Sequence, residues 1–511
     1  MLLQEIKIKM PFLWGKQVFH KTRWNQINLI VGPNGSGKTL LAEELAKHFD
    51  KAGYPAKFIK SERSDYSEIL NILKENLDVR LKIENVLTNM FSKSIKFFTL
   101  PDGNVIPIVV NKERNVEYNL QGDECHGLKE ILNLLVTLFS STEKCLIFDE
   151  PELHLHPQLQ VFFMNEIRRV AETDRTRTFF LITHSPFFID LHYTDDLIGV
   201  IVCHVNRCPT HIEKLNSSDQ QLISKFLPRF NTYHKQFFFS DNQIFVEGYT
   251  DRQMFSILLN KLGSIPGSAG TGIIDVGGKD ELGVFFRICS LLGTSARIIT
   301  DLDGLFRGKL RDEVCKDYRV RQWLSKHQEK QMPFYRSIFS KTELENPVTM
   351  NALTTKLDSM LIQIGKAIST MYKHMPVEVE LYKTKVLALD KKYENVEDLD
   401  TYKTVILQGI YLLGDKLGSV LPLPLAAKLP LIKNLASLIF AAAEACRVYM
   451  LNKGCIEHYY RMSKNQYMPL SGKDKLFQME YNHIMAISKS KLKKEYSDLI
   501  NILTKACTLN N

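Results

Sequence analysis

The chain has 511 residues, 44% of them hydrophobic and 24% charged, which excludes wholesale disorder and gives room for about three domains of ~150 residues. Its 66 Lys and Arg against 57 Asp and Glu leave a net charge of +9, which permits a polyanionic partner without demanding one. Nine cysteines with no CxxC pair exclude a paired-thiol metal or redox motif and read as reduced thiols of a cytoplasmic protein.

The opening MLLQEIKIKMPF alternates apolar and polar residues like a first strand and lacks the unbroken apolar core of a signal peptide. The apolar run INLIV (27–31) then leads into Gly32, Pro33, Asn34, Gly35, Ser36, Gly37, Lys38 and Thr39, followed by the helical LLAEELAKHF. This is G-x-x-x-x-G-K-[ST] between a strand and a helix, the pattern of a phosphate-binding loop. Glycines let backbone N–H groups curl around phosphates, and the helix N-terminus adds a positive dipole. Lys38 is expected to neutralise the β- and γ-phosphates of ATP, and the Thr39 hydroxyl to ligate Mg²⁺.

A second apolar strand, CLIF (145–148), ends in Asp149 and Glu150. A strand-end Asp can hold Mg²⁺ through water, and the following Glu can orient the attacking water. A third, FFLI (179–182), ends in Thr183-His184-Ser185, which places His184 within reach of a γ-phosphate. His154 and His156 form no metal site on spacing, because no Cys or carboxylate partner matches them.

Residues 216–241 read as a linker, after which a second α/β unit begins. QIFV (243–246) precedes Glu247-Gly248-Tyr249-Thr250-Asp251 and the helical RQMFSILLNKL. IIDV (273–276) leads to Gly277-Gly278-Lys279, and ARIIT (296–300) to Asp301-Leu302-Asp303-Gly304. Asp301 and Asp303, two apart on an extended segment, point the same way. With Glu247 and Asp251 they place four carboxylates at the C-terminal ends of parallel strands, where open α/β sheets bind ligands. Oxygen-only ligands favour Mg²⁺ or Mn²⁺ over zinc, and two such ions can activate a water and stabilise both oxygens of a phosphodiester displacement. Asp275 reads as a structural acid.

From Phe306 to Met450 the apolar spacing turns helical, as in LTTKLDSMLIQIGKAISTMY and VILQGIYLLGDKLGSVL. The greasiest stretch, 435–451, carries Glu444 and Arg447 and reads as a buried helix rather than a membrane span. The wider run 418–451 is more apolar than a solvated bundle needs, so a homodimer or partner surface is expected there, with Leu438 and Phe440 on it.

The order of glycine loop, Asp149-Glu150-Pro151-Glu152 with its LHLHP tail, and Thr183-His184-Ser185 resembles the ABC-type ATPase of the overcoming lysogenization defect (OLD) family. The order E-G-x-x-D, G-G-K, D-x-D-G is similar to the Toprim fold of topoisomerases, primases and OLD nucleases. By that resemblance Gly127, in GDECHGLKE (122–130), belongs to a signature segment that completes the ATP site of a second subunit; a plain first turn of a helix is the other reading. Gln121 lies only 82 positions after Thr39 with no sustained heptads between, unlike the long coiled-coil ATPases. KGCIEHYY (453–460) looks like the segment that returns to the Toprim core with a further metal-binding acid, Glu457. SGKDK (471–475) would supply a transition-state lysine, Lys473 in preference to Lys475. Lys489, Lys491, Lys493 and Lys494 read as a solvated face or a contact to DNA phosphates.

The expected fold class is α/β: an ABC-type P-loop ATPase domain (1–235), then a Toprim domain (241–305 and 451–511) split by a mostly helical insertion (306–450). The resemblance implies an ATP-regulated, metal-dependent nuclease acting on DNA more readily than RNA, and a phage-defence effector. Some such proteins work with a partner such as a reverse transcriptase and its retron DNA. The same site cutting tRNA, a topoisomerase-like strand-passage enzyme, and a non-catalytic ATP-switched scaffold are the alternatives. The strand-passage reading lacks an evident helix-turn-helix module to carry a nucleophilic tyrosine.

Overall fold

The computed structural model describes residues 5–61, 67–101, 105–239, 242–263, 271–371, 375–390, 396–462 and 472–508. They form two compact units, residues 1–241 with 291–293 and residues 242–290 with 294–511. Ser471 of the SGKDK segment lies outside the described residues.

The first unit is built on a six-stranded sheet in the order Arg207–His211, Val200–His204, Ile27–Val31, Thr178–Ile182, Cys145–Asp149, Ala56–Ile59. All neighbours are parallel except the first pair. Cys145–Asp149, Thr178–Ile182 and Val200–His204 are buried at every position, as strands of a parallel sheet covered on both faces must be. The helix Lys38–Lys51 buries Leu41, Leu45 and Phe49, spaced four apart, against Ile30, Ile147 and Phe180. The helix Pro157–Thr173 sets Phe163 edge-on to Phe148, with ring centroids 5.4 Å apart. An antiparallel pair, Ile6–Lys9 with Val18–Lys21, and a three-stranded antiparallel sheet spanning Lys93–Thr99, Val105–Asn111 and Val116–Asn119 complete the unit's sheets among the described residues.

The stretch expected to be a linker is structured through residue 239. Asn216 caps the helix Ser217–Phe226 by accepting the Asp219 N–H at 2.8 Å, and a 3-10 helix, His234–Phe239, follows. Phe226, Phe230, Phe237 and Phe238 are buried there, the last two stacked at 4.1 Å. The polar NSSDQQ is a helix start rather than a tether, and the phenylalanines supply the burial that a linker lacks.

The second unit carries a four-stranded parallel sheet in the order Gly272–Asp275, Gln243–Val246, Arg297–Thr300, Val448–Met450. Between the last two strands come the helices from Lys309–Lys316 to Leu429–Glu444. The chain rejoins the sheet at Val448, three residues before the expected boundary at 451. The predicted helical run 405–421 is two pieces, because Gly414 (φ 49°) ends Val396–Leu413 ahead of Asp415–Gly418.

By length and composition Leu423–Glu444 is apolar enough to cross a membrane. In the structure the helix Leu429–Glu444 packs on Met350–Ser369 and on Val448–Met450, and buries Leu435, Ala436, Leu438, Ile439, Ala442 and Ala443. Leu438 is only 6% exposed, so its apolar character serves the interior of this unit and not the free surface expected for it. Leu435→Ala is predicted to lower unfolding stability by about 2–4 kcal/mol, read as a reduced urea midpoint at unchanged mass in light scattering. An unchanged midpoint with a changed mass would restore the interface reading.

Candidate active sites

In the first unit the loop after Ile27–Val31 carries three glycines at positive φ, and the first and last of them fix its ends. Gly32 (φ 140°) passes so close to the Cys203 carbonyl that a β-carbon would collide with it, and Gly37 (φ 82°) is the left-handed cap of the helix Lys38–Lys51. Ser36 is buried, while Asn34 and Gly35 are exposed at the loop's crest. The Lys38 ammonium is folded onto its own loop, donating to the carbonyls of Gly32 (3.2 Å) and Pro33 (3.0 Å). Burial pulls its pKa down, against the pull of neighbouring acids that include Asp149 and Glu150. Thr39 Oγ1 lies 3.4 and 3.3 Å from the two Asp149 carboxylate oxygens, so the loop and the strand end 110 residues later meet as a hydroxyl and a carboxylate.

Glu150 has φ 46°, a left-handed conformation unusual for a residue with a side chain, and its N–H donates to the Ile182 carbonyl at 2.9 Å. Its carboxylate stands 3.9 Å from His184 Nε2. Burial and the nearby Lys38 hold His184 below the usual imidazole range. Glu152, which sequence reasoning named only as part of a motif, joins the two strand ends. It accepts the His184 N–H at 2.6 Å and the Thr183 hydroxyl at 2.8 Å. Burial raises its pKa, and those hydrogen bonds oppose the rise. Gly127 lies in the first turn of the helix His126–Ser140, and a β-carbon there would come within 3.1 Å of the His154 carbonyl. His156 Nδ1 accepts from the Gln158 N–H at 3.4 Å and so caps a helix, a structural use for one member of the histidine pair.

In the second unit, register brings the acids together. Val246 pairs with Asp275 on one side and Ile299 on the other, so Glu247 and the Thr300–Asp301 step emerge at the same edge of adjacent strands. Oxygens of Glu247, Asp301 and Asp303 all lie within 4.8 Å of one another. Asp303 is not on an extended segment as expected. It sits in a 3-10 helix, Leu302–Leu305, closed by Gly304 N–H to the Asp301 carbonyl at 3.1 Å, and that turn swings it back onto Asp301.

Asp251 is outside this trio. It accepts the Gly248 N–H at 3.1 Å and faces Glu457, which is buried in the 3-10 helix Ile456–Tyr459. Glu457 in turn meets Lys473 Nζ at 2.8 Å, whereas Lys475 is exposed with no ion pair among the described residues. Asp275 pairs with Arg252 at 3.3 Å, in keeping with a structural acid. Lys489, Lys491, Lys493 and Lys494 are exposed. Sequence reasoning missed two cations. Lys279, of the G-G-K motif, and Arg307 both contact Asp303 Oδ2, at 2.9 and 3.2 Å.

The electrostatics suit a cation. Burial, then the neighbouring Asp303 and Asp251, lift Glu247 to about 7. Burial and Glu457 lift Asp251 to about 6, and burial with four surrounding acids pushes Asp301 well above the carboxylate range. Glu457 is the exception: burial would raise it, but the Cys455 thiol and Lys473 outweigh that and hold it low. Glu247 Oε2 and Asp303 Oδ1 are buried without a hydrogen-bond partner, at a cost that a coordinated divalent cation would remove.

These shifts set a pH dependence. In the folded protein Glu247 keeps its proton up to about pH 7, while the unfolded group ionises near 4.5. The folded state binds more protons across that window, so this group's contribution to stability falls as pH rises through it. Relative to Glu247→Gln, the wild type is predicted to lose thermal stability from about pH 4.5 to about pH 7, and to gain more from Mg²⁺ or Mn²⁺ at the upper end. An equal metal-induced rise at both ends would contradict this.

Comparison with known proteins agrees with both units. Residues 41–190 match the family described as AAA domain, putative AbiEii toxin, Type IV TA system, and residues 238–303 match the overcoming lysogenization defect protein-like TOPRIM domain. An OLD nuclease of Thermus scotoductus is 27% identical over 206 residues, 37% of this chain and 38% of that protein. The endonuclease GajA of Bacillus cereus is 24% identical over 263 residues, 45% of this chain and 36% of that protein. The chain thus matches well under half the length of these two relatives. It joins an AAA-type ATPase domain to an OLD-like Toprim domain, the architecture of the overcoming lysogenization defect family.

Proposed function

We propose that the protein is an ATP-binding and ATP-hydrolysing, divalent-metal-dependent endonuclease that cuts DNA in the cytoplasm as an antiphage effector. The observation that carries this reading is the convergence of Glu247, Asp301 and Asp303, with two buried carboxylate oxygens lacking any hydrogen-bond donor. Acids so placed, with Glu247 and Asp301 raised in proton affinity by burial and by neighbouring acids, are arranged for a hard cation such as Mg²⁺ or Mn²⁺. When bound, the cations supply an acidified attacking water and neutralise charge on the phosphodiester. Glu247, Asp301 and Asp303 would hold one ion, and Asp251 and Glu457 would flank a second position. Lys473, already charged against Glu457, would meet the negative charge that builds on the phosphate oxygens.

In the ATPase domain Lys38 would exchange the Gly32 and Pro33 carbonyls for the β- and γ-phosphates. Thr39 and Asp149 would share the Mg²⁺, Glu150 would orient the attacking water, and His184 would contact the γ-phosphate. Gly127 of a second copy would close the site, making a homodimer the working unit and ATP the gate on cleavage. Lys38→Ala is predicted to abolish ATP binding. Glu150→Gln is predicted to keep binding and slow hydrolysis by about 100-fold; equal loss of both would remove Glu150 from the water-positioning role.

The functional test is incubation of supercoiled DNA, linear DNA and tRNA with Mg²⁺ or Mn²⁺, with and without ATP, beside Glu247→Ala and Asp301→Ala. The expected result is metal-dependent DNA cleavage lost in both variants. Cleavage confined to tRNA would move the substrate to RNA, and cleavage surviving both substitutions would refute the assignment of the site.

A further inference from the structure

Lys473 and Glu457 belong to different segments, and neither segment's own turn brings them together. Glu457 lies in the 3-10 helix Ile456–Tyr459, and Lys473 opens the helix Lys473–Ala486 after the left-handed Gly472. What fastens one segment to the other is Glu480, two turns along the lysine's own helix. Its side chain is fully buried, an environment that ordinarily excludes a carboxylate. One oxygen accepts the Arg461 N–H at 2.8 Å and the other the Met462 N–H at 2.9 Å; the Tyr496 hydroxyl donates to the first. Arg461 and Met462 follow Glu457 by four and five residues. The carboxylate therefore grips the backbone of the glutamate's segment from the helix that begins with the lysine.

The clamp has supports on either side. Arg461 Nε donates to the Glu495 carbonyl at 2.9 Å, and the Glu495 carboxylate meets His483 of the lysine's helix at 2.8 Å. The far end of that helix is held by Lys261, whose ammonium donates to the carbonyls of Ile484 and Met485. Lys261 belongs to the helix Tyr249–Leu262, which carries Asp251. Three segments bearing Asp251, Glu457 and Lys473 are thus tied to one another by hydrogen bonds made away from the acids themselves.

We propose that Glu480 is a positioning residue for the nuclease site, acting through Lys473 by docking its helix on the Glu457 segment. The kinetic part of this proposal rests on the nuclease reading above; the geometric part does not. A fully buried carboxylate bonded to two consecutive backbone N–H groups has a fixed direction, so the clamp, and not the ion pair whose lysine is free to move in solvent, sets the separation of Lys473 and Glu457.

The test uses the full-length protein and two readouts. The first is modification of Lys473 by acetic anhydride, quantified by mass spectrometry, in wild type, Glu480→Gln, Glu480→Ala and Glu457→Gln, with Lys489 as internal reference. Loss of the clamp is expected to raise Lys473 labelling toward the Glu457→Gln level while Lys489 is unchanged. Glu480→Gln keeps the side-chain volume and one acceptor, so it remains informative where Ala unfolds the protein, and it should fall between wild type and Ala. Unchanged Lys473 labelling in the folded variants would overturn the proposal, whether or not the protein cuts nucleic acid.

The second readout is single-turnover cleavage in a cycle with Lys473→Ala. Glu480→Gln should slow cleavage about tenfold in the wild-type background, with KM nearly unchanged, and have almost no effect where Lys473 is absent. Full, multiplicative loss in both backgrounds would make Glu480 a general stability residue and overturn the proposal. A wild type that cuts nothing while labelling responds as expected would refute the nuclease reading and leave the clamp standing.

Discussion

The second unit is organised around a repulsion. Parallel register delivers Glu247 and Asp301 to one edge of the sheet, and a 3-10 turn folds Asp303 onto them. Burial then removes the water that would screen them. Burial first, and the neighbouring acids second, favour the protonated form, which is why Glu247 and Asp301 are displaced upward. Lys279 and Arg307 on Asp303, and Lys473 on Glu457, absorb part of the charge at the rim and leave oxygens inside without donors. Stability is given up in the folded chain to hold these acids together, a cost that a divalent ion would offset.

The ATPase unit solves a related problem with a different device. The groups proposed to bind and hydrolyse ATP lie at the ends of neighbouring strands and on a loop, so their separation depends on how those ends are held. Glu152 does this from between them, binding Thr183 and the His184 backbone while Glu150 takes a left-handed turn two residues earlier. A carboxylate that accepts from the backbone recurs at Glu480, fully buried and bonded to two N–H groups, in the other unit and for a different pair of side chains.

Much of this was legible in the sequence for physical reasons. The glycine loop, Asp149-Glu150 and the three Toprim segments each follow an apolar run, and a buried parallel strand must be such a run. Asp301 and Asp303 were legible as a pair, but the turn joining them was not, because period-two reasoning presumes an extended chain. Residues 216–241 read as a linker because a capped helix start and a tether share polar residues, whereas the phenylalanines behind them declare their role only by packing. Leu438 read as surface for a similar reason: apolar content reports that a face is covered but not by what. Lys279 stood in the G-G-K motif and Arg307 four residues after Asp303, but neither spacing pointed to Asp303 Oδ2, and Glu480 left no local mark, since its partners lie 18–19 residues away in a segment that only the fold brings alongside.

The central claim is that the buried acids of the second unit form a divalent-metal site. Manganese binding without nucleotide, followed by electron paramagnetic resonance in wild type and Asp301→Asn, tests it most directly. The account predicts saturable binding by the wild type and a loss of at least about tenfold in affinity in the variant. Equal affinity in the two proteins, or no saturable binding by the wild type at neutral pH, would contradict it.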